Sequence, residues 1–109
     1  MTEQQRREIK LKLIELEFWE ATDYGDPTSD DFGLGVLIKR MEKRLALGCR
    51  LSIDFADESM IKREARVVGE GIDEFLAVGE DLFTAICLAA LALPEFLERN
   101  PECSSNLCA

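Results

Sequence analysis

Residues 49–78 read CRLSIDFADESMIKREARVVGEGIDEFLAV, and this stretch decides the fold. From Cys49 to Ala56, Leu51, Ile53 and Phe55 alternate with Arg50, Ser52 and Asp54. A period of two places one set on each face of a strand, so this strand has one buried side. Ala56-Asp57-Glu58-Ser59 reads as a turn. From Ile61 to Val68, Ile61, Ala65 and Val67 alternate with Lys62, Glu64 and Arg66. Gly69-Glu70-Gly71 is a hairpin signal, because glycine reaches the positive-φ conformations of tight turns. Ile72 to Val78 is the third strand, with Phe75 and Ala77 expected on one face and Leu76 and Val78 on the other. Strands joined by short turns pair antiparallel, so the stretch predicts a three-stranded meander.

Helical periods flank it. Leu34, Leu37, Ile38, Met41 and Leu45 share one face at spacings of three and four, with Lys39, Arg40, Lys43 and Arg44 opposite or in the last turns. Thr28 or Ser29 is the expected cap of this helix, Asp30 and Asp31 its first turn, and Gly48 its stop. Residues 3–22 are rich in helix formers, with Ile9, Leu13 and Leu16 on one stripe and Leu11, Ile14 and Phe18 on a second. As a helix, this segment needs cover on both stripes, from the sheet and the second helix. After the strands, Glu80 and Asp81 open an apolar helix carrying Leu82, Ile86, Ala89 and Leu93 on one face, which Pro94 bends or ends. The order is α-α-β-β-β-α: an α+β fold in which three helices cover one sheet face and part of the other. Residues 1–99 read as one domain and 100–109 as a polar C-terminal tail.

The chain has 109 residues and a net charge of −9, with no histidine. Phosphate binding draws its affinity from cations, so direct nucleic-acid binding and attachment to anionic membranes are both disfavoured. The polar start is no signal peptide, and the nine-residue apolar run from Ala85 to Leu93 is about half a membrane span. These features predict a cytoplasmic protein. Without histidine, nucleophilic and acid–base catalysis lose their commonest base, and no motif marks a lysine or carboxylate in its place. Gly33-Leu-Gly35 lacks the rest of a dinucleotide fingerprint and reads as a close-packing or loosened helix start. Cys49, Cys87, Cys103 and Cys108 follow no zinc spacing. Cys49 and Cys87 read as buried thiols, while Cys103 and Cys108 flank a polar tail where they can pair under oxidising conditions. No cofactor, metal site or catalytic residue is expected.

The segment from Tyr24 to Leu93 resembles the phage ABA-sandwich domain, a family of small phage and prophage proteins. The likeness rests on Thr28-Ser-Asp-Asp at the start of the second helix, on the meander, and on the closing helix Ala85-Ile-Cys-Leu-Ala-Ala-Leu. The resemblance implies a bacterial or phage-infected host cell and an accessory role, without a mechanism. The α-β-β-β-α order is also similar to the double-stranded-RNA-binding domain. There, lysines at the start of the last helix contact phosphate, whereas Glu80 and Asp81 stand here and invert the charge.

Charge is segregated along the chain: residues 67–85 carry five acids and no base, and residues 36–50 five bases and one acid. Glu70, Asp73, Glu74, Glu80 and Asp81 therefore form a candidate acidic interaction surface for a basic protein partner. The leading expectation is a non-enzymatic accessory protein acting by protein–protein contact. One alternative is an acidic, nucleic-acid-mimicking inhibitor of a host DNA- or RNA-binding defence protein. A second is a small carboxylate-metal enzyme, built on clusters such as Asp23, Asp26, Asp30 and Asp31. A homo-oligomer is also expected, through the basic helix meeting the acidic hairpin of another copy, or through an outer strand edge.

Overall fold

The computed structural model describes residues 1–56, 58 and 61–105. Its elements run α1 (Glu3–Glu15), α2 (Asp31–Lys43), β1 (Cys49–Phe55), β2 (Arg63–Gly69), β3 (Ile72–Gly79), α3 (Leu82–Arg99) and a short 3-10 turn, Pro101–Cys103. The strands form one antiparallel sheet in the order β1-β2-β3, as the alternation in 49–78 predicts. The fold is α+β, with the element order α-α-β-β-β-α.

The sheet has two unlike faces. Leu51, Ile53, Ala65, Val67 and Ala77 pack into the core, with Ala65 and Val67 fully buried. On the other face Arg50, Asp54, Asp73, Phe75 and Val78 are all exposed. Among the described residues no helix covers that face, contrary to the expected partial cover. The helices gather on the inner side: α3 lies on β2 and β3, α1 and α2 pack against α3, and α2 also reaches β1. A helix placed like α3 must be apolar on most sides, and Ala85, Ile86, Cys87, Ala89, Ala90, Leu93 and Phe96 are all buried.

Several expected boundaries and faces move. The register steps from Ala65–Ala77 to Arg66–Phe75, so β3 contributes an extra residue at Leu76. This bulge turns Phe75 outward and Ala77 inward, so they do not share a face. Ile61 lies outside β2 and is exposed. α1 ends at Glu15, well short of residue 22, because Glu17 adopts φ 65° and turns the chain back. The backbone N–H groups of Phe18 and Trp19 then both donate to the Leu13 carbonyl, at 2.9 and 3.3 Å. The N-cap of α2 is Asp30, whose carboxylate accepts from Gly33 N at 2.6 Å, in place of Thr28 or Ser29. Thr28 is buried instead, its hydroxyl donating to Asp26 Oδ1 at 2.6 Å. α3 runs through Pro94 to Arg99, because buried Leu93 and Phe96 hold both sides of the proline.

The C-terminal segment is also docked. Ala46 N donates to the Cys103 carbonyl at 2.7 Å and Ser105 N to the Arg44 carbonyl at 3.0 Å, and Cys103 is fully buried. Residues 100–105, the described part of the polar C-terminal segment, thus pack on the domain. Cys108, the other cysteine able to pair with Cys103 under oxidising conditions, lies outside the described residues. Buried Cys103 has the thiol of Cys49 beside it.

The two glycines at the start of α2 have different reasons to be there. A Cβ on Gly33 would lie 2.4–2.7 Å from backbone atoms of Asp26, so helix and loop touch at this point. A Cβ on Gly35 would meet nothing within 4 Å. Gly33→Ala should therefore lower stability by about 1–3 kcal/mol, as overpacking against backbone does. Gly35→Ala, two residues on, should raise it by about 0.5–1 kcal/mol, the helix-propensity gain. Urea unfolding of the two variants checks this, and equal effects of one sign would contradict the packing described.

Candidate interaction surface

The five carboxylates expected to form one acidic surface are dispersed. Glu70 is exposed in the β2–β3 turn and Glu80 is exposed beyond the other end of β3. The eight residues of β3, at about 3.3 Å each, hold these two ends roughly 25 Å apart. Asp73 pairs with Arg66 at 3.2 Å across the outer sheet face. Glu74 accepts from Arg99 at 3.2 Å and from Asn100 Nδ2 at 3.0 Å, clamping the end of α3 to β3. Asp81 is the N-cap of α3, accepting from Thr84 N at 2.8 Å, and these hydrogen bonds outweigh its desolvation and lower its pKa. Three of the five thus have internal tasks.

The second acidic group, at residues 23–31, is structural too. Asp26 Oδ1 accepts from Thr28 N at 2.8 Å as well as from its hydroxyl, and Asp30 Oδ2 accepts from Asp26 N at 2.6 Å. Burial opposes ionisation of Asp26, but the bonds from Thr28 and the charge of Lys10 prevail and lower its pKa. Among the described residues, no three His, Cys, Asp or Glu side chains converge in a way that would hold a metal ion. Cys87 donates its S–H to the Pro27 carbonyl at 3.5 Å, and burial pushes its pKa up to about 12. Burial and the neighbouring Cys49 push Cys103 up to about 11. Neither thiol supplies a thiolate nucleophile at neutral pH.

Two of the four basic residues of α2 and its cap, Arg40 and Arg44, turn toward the loop after α1, while Lys39 and Lys43 are exposed. Arg40 makes two bonds to Asp23, at 2.6 and 2.9 Å, and a third to the Phe18 carbonyl at 3.0 Å. Its guanidinium lies 5.2 Å from the Trp19 ring centroid. Arg44 donates to the Leu16 carbonyl at 2.8 Å and stacks 3.7 Å over Phe18. These two arginines fasten the reversal that ends α1, satisfying carbonyls that the helix leaves open. Of the basic face expected to meet the hairpin of another copy, Arg40 and Arg44 are engaged within the chain and Lys39 and Lys43 remain exposed.

That fastened loop builds one wall of a groove. The other wall is the outer face of α1. Ile9, Leu13 and Leu16, the first stripe of α1, join the core. Of the second stripe, only Phe18 is buried, and it belongs to the reversal; Leu11 is 63% and Ile14 36% exposed. Together with Lys10, Trp19, Ala21 and Gly25 they line a surface groove of about 410 Å³. Phe32 lies beside Gly25, 3.1 Å from where an added Cβ would sit, and packs edge-to-face with Tyr24, ring centroids 5.4 Å apart, so the apolar band continues past the groove. Both of those rings are largely exposed. The outer sheet face differs, since the pairs Arg66–Glu64 and Arg66–Asp73 lie on it beside Phe75 and Val78. The two-stripe pattern of α1 is the sequence signal for this site; which stripe stays uncovered depends on tertiary packing.

No protein family, no curated protein and no solved structure matches this chain. Among the described residues, no helix is long and apolar enough to cross a membrane.

The Asp23–Arg40 pair fixes a pH response. Its hydrogen bond and charge, with the bond from Glu20 N, hold the Asp23 pKa down at about 2. A carboxylate whose folded pKa lies below its unfolded value of about 3.9 adds stability above that value and loses it as pH falls through the folded pKa. The melting temperature should therefore fall as pH drops from about 4 to about 2. Asp23→Asn should lower stability at pH 7 and make that acid fall shallower. Thermal melts across pH test this; parallel curves for both proteins would remove Asp23 from the acid response.

Proposed function

We propose that this protein is a non-enzymatic accessory protein of phage or prophage origin that acts by protein–protein contact, with the outer face of α1 as its contact surface. The observation that carries the reading is the exposed Leu11–Ile14 stripe beside a groove whose far wall is fixed by Arg40 and Arg44. Apolar side chains at the rim of a rigid concavity are the usual substance of a binding site, because their burial adds affinity and little ordering is needed. The phage or prophage origin rests on the resemblance of the closing helix, Ala85 to Leu91, and the cytoplasm of the host cell is the matching location.

The mimicry alternative needs a continuous row of carboxylates. Dispersal of Glu70 and Glu80 to opposite ends of β3, and the internal partners of Asp73, Glu74 and Asp81, favour the apolar site instead.

The test uses the immobilised full chain in nuclease-treated bacterial lysate, compared with Leu11→Asp/Ile14→Asp and with Glu70→Gln/Asp73→Asn/Glu80→Gln. Proteins retained by the wild type should be lost by the α1 variant at low and high salt and kept by the charge-neutralised one. Retention by the α1 variant, with loss on charge neutralisation and at high salt, would replace this reading with acidic mimicry.

A further inference from the structure

We propose that Cys49 and Cys103 form a redox-active pair, which closes to a disulfide by exchange with a low-molecular-weight disulfide and reopens in excess thiol. The inference does not depend on the contact surface of α1. The backbone brings the two cysteines together through Ala46. Its N–H donates to the Cys103 carbonyl at 2.7 Å, and its carbonyl accepts from Cys49 N at 3.0 Å. Leu45 and Ser104 form an antiparallel bridge beside these bonds, and Cys103 N donates to the Asn100 carbonyl at 2.9 Å within the closing 3-10 turn. Gly48, at φ 96°, turns the chain so that β1 begins at Cys49. Cys49 then packs, with Leu51 and Ile53, against the core that contains Cys103. The two side chains are in hydrogen-bond contact. A disulfide joins Cβ atoms about 4 Å apart, so thiols already touching need little movement to bond.

Access to the two thiols is unequal. Cys103 is fully buried, whereas Cys49 is half-buried and lines a surface groove of about 470 Å³ with Arg50, Val68 and Glu70. Gly69, the β2 partner of Cys49, brings no side chain to that groove, and a Cβ on it would lie 2.6 Å from the Gly48 carbonyl oxygen. An outside reagent therefore meets Cys49 first. The exchange runs in two steps. The Cys49 sulfur gives its proton to solvent and attacks one sulfur of the small disulfide; one small thiol leaves, protonated by solvent, and a mixed disulfide remains. Cys103 then attacks the Cys49 sulfur, its own proton passing to solvent as the second small thiol leaves protonated. Two protein thiols and one small disulfide thus become one protein disulfide and two small thiols. Burial and the neighbouring Cys49 hold the Cys103 proton tightly, which makes the second step the slower one. Contact between the two residues gives that step the advantage of an intramolecular reaction.

The test incubates the full chain with oxidised glutathione at about pH 8.5, the ordinary thiol pKa, then alkylates remaining thiols and digests with trypsin. Cys108→Ser is treated in parallel, since Cys103 and Cys108 fall in one tryptic peptide. Both proteins should yield peptide 45–50 linked to peptide 100–109, with Cys103 as the bonded residue. Cys87, buried against Pro27, should be recovered alkylated. The bond closes a loop of about 55 residues, so the melting temperature should rise by about 10 °C and return on treatment with dithiothreitol. Cys49→Ala should melt like the reduced wild type and gain nothing from oxidation. Thiols that all stay free would overturn the proposal, as would a glutathione adduct at Cys49 that never resolves. So would a wild type that joins Cys103 to Cys108 instead, or a Cys49–Cys103 bond that lowers the melting temperature.

Discussion

A single helix with protein on both sides, α3, sets the terms for the rest of this structure. It rests on β2 and β3 and contacts both α1 and α2, of which α2 also reaches β1. A helix in that position can hold few polar groups, which accounts for its alanines, its leucines and its buried Cys87. It also needs close approach. A Cβ on Gly79 would lie 2.4 Å from Ala85 N, so the end of β3 touches the backbone of the helix that follows. The C-terminal end is held by Glu74, which reaches from β3 to Arg99 and Asn100. With all helices on one side, the outer sheet face is left to solvent and covered by its own ion pairs.

The same stacking determines where binding can occur. Most of the charge that looks functional in the sequence turns out to close the loops around α3. Arg40, Arg44, Asp23, Asp26 and Asp30 build the 16–30 connection, and Asp81 caps the helix. A loop with its polar groups satisfied is stiff. Beside that loop lies the exposed apolar Leu11–Ile14 stripe, extended by Tyr24 and Phe32. An exposed apolar band next to a stiff concavity marks an interaction site more specifically than net charge does.

The parts of the fold legible in the sequence are those fixed by neighbours in the chain. The alternation in 49–55, the Gly69-Glu70-Gly71 turn and the period from Leu34 to Leu45 are all local signals, and each produced its element. The misreadings come from long-range packing. Nothing near Glu17 announces a left-handed residue; α1 stops there because Phe18 and Trp19 are worth burying and Arg44 waits across the space to accept the reversal. Pro94 stands in a helix held from both sides. The Leu76 bulge reverses Phe75, and Cys103 is drawn into the core by backbone bonds to residues 44–46. The candidate site was half legible. Its two stripes are plain in the sequence, but the choice of which one faces solvent belongs to α3.

Amide hydrogen exchange on the full chain tests the central place of α3 most directly. Because α3 is the common contact of the sheet, α1 and α2, the amides from Ala85 to Leu93 should be the slowest in the molecule and exchange only with global unfolding. The amides of α1 should open earlier, through local detachment from α3. Exchange in α3 as fast as in α1, or a slow core confined to the sheet, would contradict the account.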